Sequence, residues 1–345
     1  MPEFYLELSA KDQKEILQTA AVQLGRQESV LEKDVWVCWV LEALFSMPSG
    51  HPMAFKGGTS LSKVYDIIDR FSEDVDITLD YKHFDDIDYK DHPEIFDPFD
   101  AGTSKNQIAK YSDRLKGYVK TYAEDVVVPH LQSELNKLPT KSSHSIEIDD
   151  SGEKIWVSYP SVVEESDDYL KTRILIELGG RNVIDPNEIH TITPYIASIT
   201  EGVKYPSSQV VVLSPERTFW EKATLIHVEC NRGELKQNAE RLSRHWYDLV
   251  MLSEHQSGQS AINNRALFED VVKHKKVFYN ARYANYDECL AGSVKLLPDD
   301  DTIEQLQSDY EKMLAAGMMY KESPPFSDIV DSIRQIERDI NHWLN

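Results

Sequence analysis

The stretch Lys56-Gly57-Gly58-Thr59-Ser60, followed by Arg70-Phe71-Ser72-Glu73-Asp74-Val75-Asp76-Ile77, constrains the fold more than any other part of the chain. Ala54 to Gly58 reads as a short strand entering a turn, Ser60 to Ile68 as a helix and Val75 to Leu79 as a second strand, which predicts strand, turn, helix and strand in series. Paired glycines let the backbone approach a ligand closely and leave amide N–H groups at the start of a helix, which suits a chain of phosphates. Thr59 and Ser60 add hydroxyl donors. In Asp74-Val75-Asp76 the two-residue period of a strand places both carboxylates on one face and turns Val75 and Ile77 toward the core. Two hard oxygen ligands on one face are what Mg²⁺ requires when phosphate oxygens complete its shell. Two such ions about 4 Å apart activate an attacking oxygen and stabilise a departing pyrophosphate. Alone, a GG pair is an ordinary turn and a DxD an ordinary solvated edge; their succession in one strand and helix context singles them out. The Walker-type phosphate loop does not fit, because Lys56 precedes the glycines instead of ending the loop.

Around this motif the chain reads as α+β. Residues 10 to 46 form two helices by apolar spacing, and Lys105 to Leu135 form one or two more. Strands are expected at Ser145 to Ile148, Ile155 to Tyr159, Thr172 to Leu178 and Val210 to Leu213. After Pro215 the pattern is helical almost to the end, so a boundary near 214 divides a mixed lobe, 1–213, from a helical lobe, 214–345. No internal repeat is visible. No apolar run approaches the roughly 20 residues that cross a bilayer, and three widely spaced cysteines without a CxxC argue against a disulfide framework or a zinc cluster, so the cytoplasm is the expected compartment. A net charge of −22 opposes nucleic-acid binding, which depends on Lys and Arg. The acid is concentrated in segments such as Asp85 to Asp100 and Asp299 to Asp301. A local cationic face on Lys105, Lys110, Arg114, Lys116 and Lys120 is therefore open, against the plainer reading of a solvated helix side.

The block Phe55 to Ile77, a second block Ser214-Pro215-Glu216-Arg217-Thr218-Phe219-Trp220-Glu221-Lys222, and Arg244-His245-Trp246-Tyr247-Asp248-Leu249 further on together resemble the AbiEii/AbiGii toxin family, a branch of the DNA polymerase β-like nucleotidyltransferase superfamily. Glu32-Lys33-Asp34 upstream and Asp309-Tyr310 downstream extend the likeness over nearly the whole chain. The spacing from Gly58 to Asp74 is longer than in the general superfamily pattern. The resemblance implies a polymerase β-like lobe with a small mixed sheet, followed by a helical lobe. It implies that Asp74 and Asp76 bind Mg²⁺, in a two-metal site, and that Gly57, Gly58, Thr59, Ser60, Lys222 and Arg244 bind the nucleotide, Lys222 through the NTP phosphates. It makes Asp248 necessary for activity, either in the chemistry or by orienting Lys222 through an ion pair. The superfamily often carries a third carboxylate on a neighbouring strand. Glu177, which shares a face with Leu175 and Arg173, is the candidate. Arg244 and His245 are read either as phosphate ligands or as partners of nearby carboxylates. The implied role is that of a toxin of a bacterial toxin–antitoxin or phage-defence system, with a separate antitoxin protein, moving NMP from NTP to an acceptor for which the tRNA 3′ end is favoured. The rival readings are nucleotidylation of a protein or small molecule, and a nucleotide-binding regulator without turnover.

Overall fold

The computed structural model describes residues 3–48, 50–84, 97–139, 144–163, 171–233 and 241–344, so most of the acidic stretch that begins at Asp85 lies outside the described residues. The chain divides into two compact units. The first contains the residues up to Val64, the stretch from Phe71 through the second motif strand, and Ala109–Leu213; the second contains Tyr65–Arg70, a stretch ending at Ile108, and everything from Ser214 onward.

Unit one begins with β1 (Glu3–Phe4), α1 (Ala10–Leu24) and α2 (Glu28–Phe45). The Ser9 side chain caps α1 by accepting from the Asp12 N–H at 3.2 Å, and Gly25, with φ 63°, ends it in the left-handed conformation. The motif follows as β2 (Met53–Lys56), α3 (Gly57–Lys63) and β3 (Val75–Asp80). The helix is thus shorter than its apolar spacing predicts. The described residues from Lys105 form one rod, α4 (Lys105–Tyr122) and α5 (Val128–Leu135), joined by a wide π-type turn at Ala123–Val127. Pro129 has no N–H to donate to the carbonyl four residues back, which is reason enough for the wider turn. Strands β4 (Ser145–Ile148), β5 (Lys154–Ser158), β6 (Arg173–Asn182), β7 (Asn187–Ile192), β8 (Val203–Lys204) and β9 (Ser208–Leu213) complete the unit.

Seven strands form a mixed sheet in the order β4-β5-β6-β3-β2-β9-β7. Along β6 burial alternates strictly: Ile174, Ile176 and Leu178 are buried while Arg173, Leu175 and Glu177 are partly exposed. Val75 and Ile77 of β3, Ile155 and Val157 of β5, and Phe55 of β2 join the buried side. Helix α2 packs on β6 and β9. One face of the sheet is therefore core, and the opposite face over β5, β6 and the start of β3 is polar and partly open.

Unit two is built on α6 (Pro215–Arg232), α7 (Arg244–Glu254), α8 (Gln256–Ile262), α9 (Arg265–Phe278), α10 (Tyr286–Leu290), α11 (Asp300–Ala315) and α12 (Phe326–Leu344). Ser214 caps α6 by accepting from the Arg217 N–H at 3.2 Å, with Pro215 at the first helical position. Ile329, Ile333, Ile336, Ile340 and Leu344 recur every three or four residues and form the buried stripe of α12. Among the described residues no helix is long and apolar enough to cross a membrane.

Candidate active site

Asp76 in β3 and Asp74, the residue just before the strand, are partly exposed and alternate with buried Glu73, Val75 and Ile77, the pattern that sets both carboxylates toward the open face. Asp76 stands in register with Lys56 of β2 on one side and Glu177 of β6 on the other, and Glu177 is in turn in register with Lys154 of β5. Paired residues of neighbouring strands project to the same side, so this row reads Lys-Asp-Glu-Lys across four strands. Glu177 forms an ion pair with Lys154 at 3.1 Å; with the side chains 41% and 47% exposed, that pair is worth about 0–1 kcal/mol and is readily exchanged for another partner.

Gly57 explains why the GG turn and the DxD strand belong together. Its φ is +82°, and a Cβ built on it would lie 1.9 Å from Oδ2 of Asp76. Only glycine leaves space for that carboxylate. The two hydroxyls that follow are directed inward. Thr59 Oγ1 donates to the Asp74 carbonyl at 2.6 Å and is hydrogen-bonded to the Ser72 hydroxyl at 2.9 Å, and Ser60 Oγ donates to the Gly57 carbonyl at 2.9 Å. Thr59 and Ser60 thus hold the motif's shape, and what Gly57 to Ser60 present to a phosphate is backbone. The donor set suits a hard divalent cation: two carboxylates on one face, with room kept by Gly57. The described residues contain no group of three or more His, Cys, Asp and Glu side chains able to hold a metal, so phosphate oxygens and water must supply the rest of such a shell. Gly57→Ala is expected to cost about 1–3 kcal/mol in backbone strain and, by displacing Asp76, to lower turnover as far as loss of Asp76 itself. Thermal melting alongside an activity assay checks it, and wild-type turnover in Gly57→Ala refutes the coupling.

Three consecutive charged residues of α2 are buried in this motif's unit, and two of them hold the motif. Glu32, Lys33 and Asp34 are each no more than 3% exposed inside a largely apolar helix. Such burial is costly unless every charge is paired. Glu32 accepts from the Val162 N–H at 2.7 Å and the Ser161 hydroxyl at 2.6 Å. Lys33 donates to the Glu73 carboxylate, and to the Lys171 carbonyl at 2.9 Å. Asp34 accepts from Lys63 at 2.5 Å and from the Tyr195 N–H at 2.7 Å. Desolvation alone would lower Lys63, but the Asp34 charge, reinforced by Cys38 and Tyr195, leaves its ammonium above the usual lysine range. Lys33 and Asp34 thereby fix the residue before Asp74 and the last residue of α3, a role that the sequence revealed only as a weak likeness.

Unit two carries a second cluster. Asp248, on α7 and fully buried, accepts from Arg70 Nε and Nη2, each at 2.7 Å, and from Lys222 Nζ at 2.8 Å. Desolvation pushes the Asp248 carboxyl up, but the Arg70 and Lys222 charges and their hydrogen bonds overcome it and hold the group well below the usual carboxylate range. Lys222 moves the other way: burial, with a smaller push from the Arg70 and Arg244 charges, lowers its ammonium by more than Asp248 restores. His245 is likewise held well below its ordinary value by burial and by Lys222 and Arg244, so it is a neutral imidazole in a locally positive field. Among the described residues its buried Nδ1 has no hydrogen-bond partner. Arg244 and His245 open α7, whose start is anchored by Asp309: that carboxylate accepts from the Arg241 N–H at 2.7 Å, the Ser243 N–H at 2.8 Å and the Ser243 hydroxyl at 2.6 Å. Arg70 is placed by its own backbone, bridged to Met319, and by the Asp69 carbonyl, which accepts from the Tyr320 N–H at 2.8 Å. Arg70 stood in the first sequence block without a role. Its position beside Ile67, Ile68 and Phe71 was the available signal, since a cation in such surroundings needs a buried carboxylate.

No curated protein matches the chain by sequence. Among solved structures, the chain is similar to MenT4, a nucleotidyltransferase toxin from Mycobacterium tuberculosis, with 14% identity over 95% of this chain and 97% of that one and a TM-score of 0.44. The family model described as nucleotidyl transferase AbiEii toxin, type IV toxin–antitoxin system, matches residues 39–332. That span contains the Gly57 turn, the Asp74 and Asp76 pair and the Arg70, Lys222 and Asp248 cluster, and the chain belongs to the AbiEii nucleotidyltransferase toxin family.

Proposed function

We propose that the chain is a Mg²⁺-dependent toxin that moves NMP from NTP to the 3′ end of tRNA. The observation that carries this reading is the row in which Asp76 stands between Lys56 and Glu177, with Gly57 making way for its carboxylate. Family membership implies an NTP substrate and an antitoxin partner. When bound, the metal would be held by Asp74 and Asp76 and would stabilise charge on the phosphates. The acceptor hydroxyl attacks the α-phosphorus, the new O–P bond forms as the bond to pyrophosphate breaks, and the hydroxyl proton passes to a carboxylate, for which Glu177 is placed beside Asp76. Backbone N–H groups of Gly57 and Gly58 approach the phosphates closely. Lys222 supplies a fixed cation to the triphosphate and Arg244 a second. Asp248 is saturated by three donors, which supports a role in holding Lys222 and Arg70 and not in binding metal.

Incubation with each α-labelled NTP, in the presence of total RNA or total protein, tests the reading. Label in tRNA is expected; label in protein alone would move the acceptor to a protein hydroxyl, and no label in either would leave a nucleotide-binding regulator. In the same assay Lys222→Ala should lower turnover roughly 10²- to 10³-fold, since loss of one preorganised charge donor costs about 2.7–4 kcal/mol. Wild-type kinetics in that variant would return Lys222 to a structural role.

A further inference from the structure

We propose that the open face of β5 and β6 receives the terminal nucleotides of the acceptor RNA, with a base stacked on Trp156 and a backbone phosphate on Arg173. This rests on the reading that RNA is the acceptor and says where it docks. On β5, Trp156 is in register with Leu175, and Ser158 with Arg173, so the indole, Leu175, Arg173 and Glu177 all project from the face that carries Asp76. An indole on the core side of this sheet would need no further account, but Trp156 is on the other side and only half-buried. The Arg173 guanidinium lies 5.5 Å from its ring centroid, within the range of a cation–π contact. Arg173 forms no ion pair with a described residue; on α4 two of the candidate cations are already engaged, Lys116 with Asp113 at 2.9 Å and Lys120 with Glu124 at 3.5 Å. In a protein of net charge −22, a guanidinium 5.5 Å from a half-buried indole, with no ion pair to a described residue, is a local feature that attracts a phosphate and a base together.

The position fits the chemistry. Two strand spacings of about 4.8 Å and two residues of about 3.4 Å each separate Trp156 from Asp76, a span that one or two nucleotides bridge. A strand entering along β6 would pass Arg173, then Trp156 and Leu175, and bring its terminal hydroxyl to Glu177 and Asp76. Glu147, opposite Trp156 on β4, adds a carboxylate acceptor to the same face, to which base amino groups and 2′-hydroxyls can donate.

The test uses the full chain with bulk deacylated tRNA and a short single-stranded oligoribonucleotide as probes, measuring direct binding, acceptor KM and NTP KM. Trp156→Ala should weaken RNA binding and raise acceptor KM roughly 5- to 150-fold, the worth of one base stack, while Trp156→Phe keeps most of the affinity and NTP KM stays constant. Arg173→Gln should reduce the salt slope of binding by about 1. If Trp156→Ala and Arg173→Gln bind RNA as wild type does while wild type still labels RNA, the docking face is wrong and the transfer reading stands. If wild type binds RNA with this dependence but transfers nothing, the docking face stands and the transfer reading falls. A wild-type chain that neither binds nor labels RNA overturns both. Far-ultraviolet circular dichroism and unchanged NTP binding separate these outcomes from misfolding.

Discussion

Asp74→Ala and Asp76→Ala are each expected to lower nucleotidyl transfer by about 10³-fold or more while the fold remains intact. Metal-assisted displacement contributes several kcal/mol of charge stabilisation, and each 1.36 kcal/mol is tenfold in rate. Neither side chain is part of the core: both are partly exposed on the open face, while the strand is held by Val75 and Ile77 and by its ladders to β2 and β6. Removing one of two carboxylates on the same face also relieves repulsion in the metal-free protein, so melting temperature should stay level or rise slightly. Magnesium gives a readout independent of turnover. A ligand that binds only the folded state stabilises it in proportion to ln(1 + [L]/Kd), so Mg²⁺ should raise the wild-type melting temperature and leave both variants unmoved. Full turnover in either variant would remove it from the metal site. An unresponsive wild type would mean that the carboxylates act in some other way.

Local pattern and long-range pairing differ sharply in how far the sequence discloses them. The alternation of Arg173 through Leu178 gave the face on which Glu177 lies, and the DxD period gave the face of Asp74 and Asp76, because a strand's two-residue period is a local property. That Glu177 stands beside Asp76 depends on β6 pairing with β3, a choice made by the whole sheet. Strand β7 has no sequence signature because Asn187-Glu188-Ile189-His190-Thr191-Ile192 is mostly polar; at the sheet edge, paired among the described residues with β9 alone, it has little apolar surface to bury. Helix α3 stops at Lys63 although its apolar spacing runs to Ile68, because Lys63 is pinned by Asp34 and Asp66 turns the chain with φ 51°. Arg70 finds Asp248 across 178 positions, a separation that no periodicity encodes.

That long-range pair yields the other large effect: Asp248→Ala is expected to destabilise unit two by about 3–5 kcal/mol and to abolish transfer. The cost follows from what remains, since two buried cations, Arg70 and Lys222, would lose the carboxylate that neutralises both. Stability alone cannot reveal whether the cluster exists for folding or for chemistry, but replacing all of it can. A buried ionic triad exchanged for apolar residues of similar volume is often neutral or stabilising, so Arg70→Met, Lys222→Met and Asp248→Leu combined should recover most of the lost stability. If the cluster serves nucleotide transfer, this stable triple variant stays inactive, and recovered turnover would make the cluster purely structural. The pH dependence carries a second signature. Because the folded state holds the Asp248 carboxyl below its usual range, its contribution is fully present above the unfolded aspartate value of about 4 and is lost as pH falls through the folded value. The stability gap between wild type and Asp248→Ala should therefore be constant near neutrality and narrow below about pH 4. A gap that stayed constant through the acid limb would mean that Asp248 is not held as a carboxylate between Arg70 and Lys222.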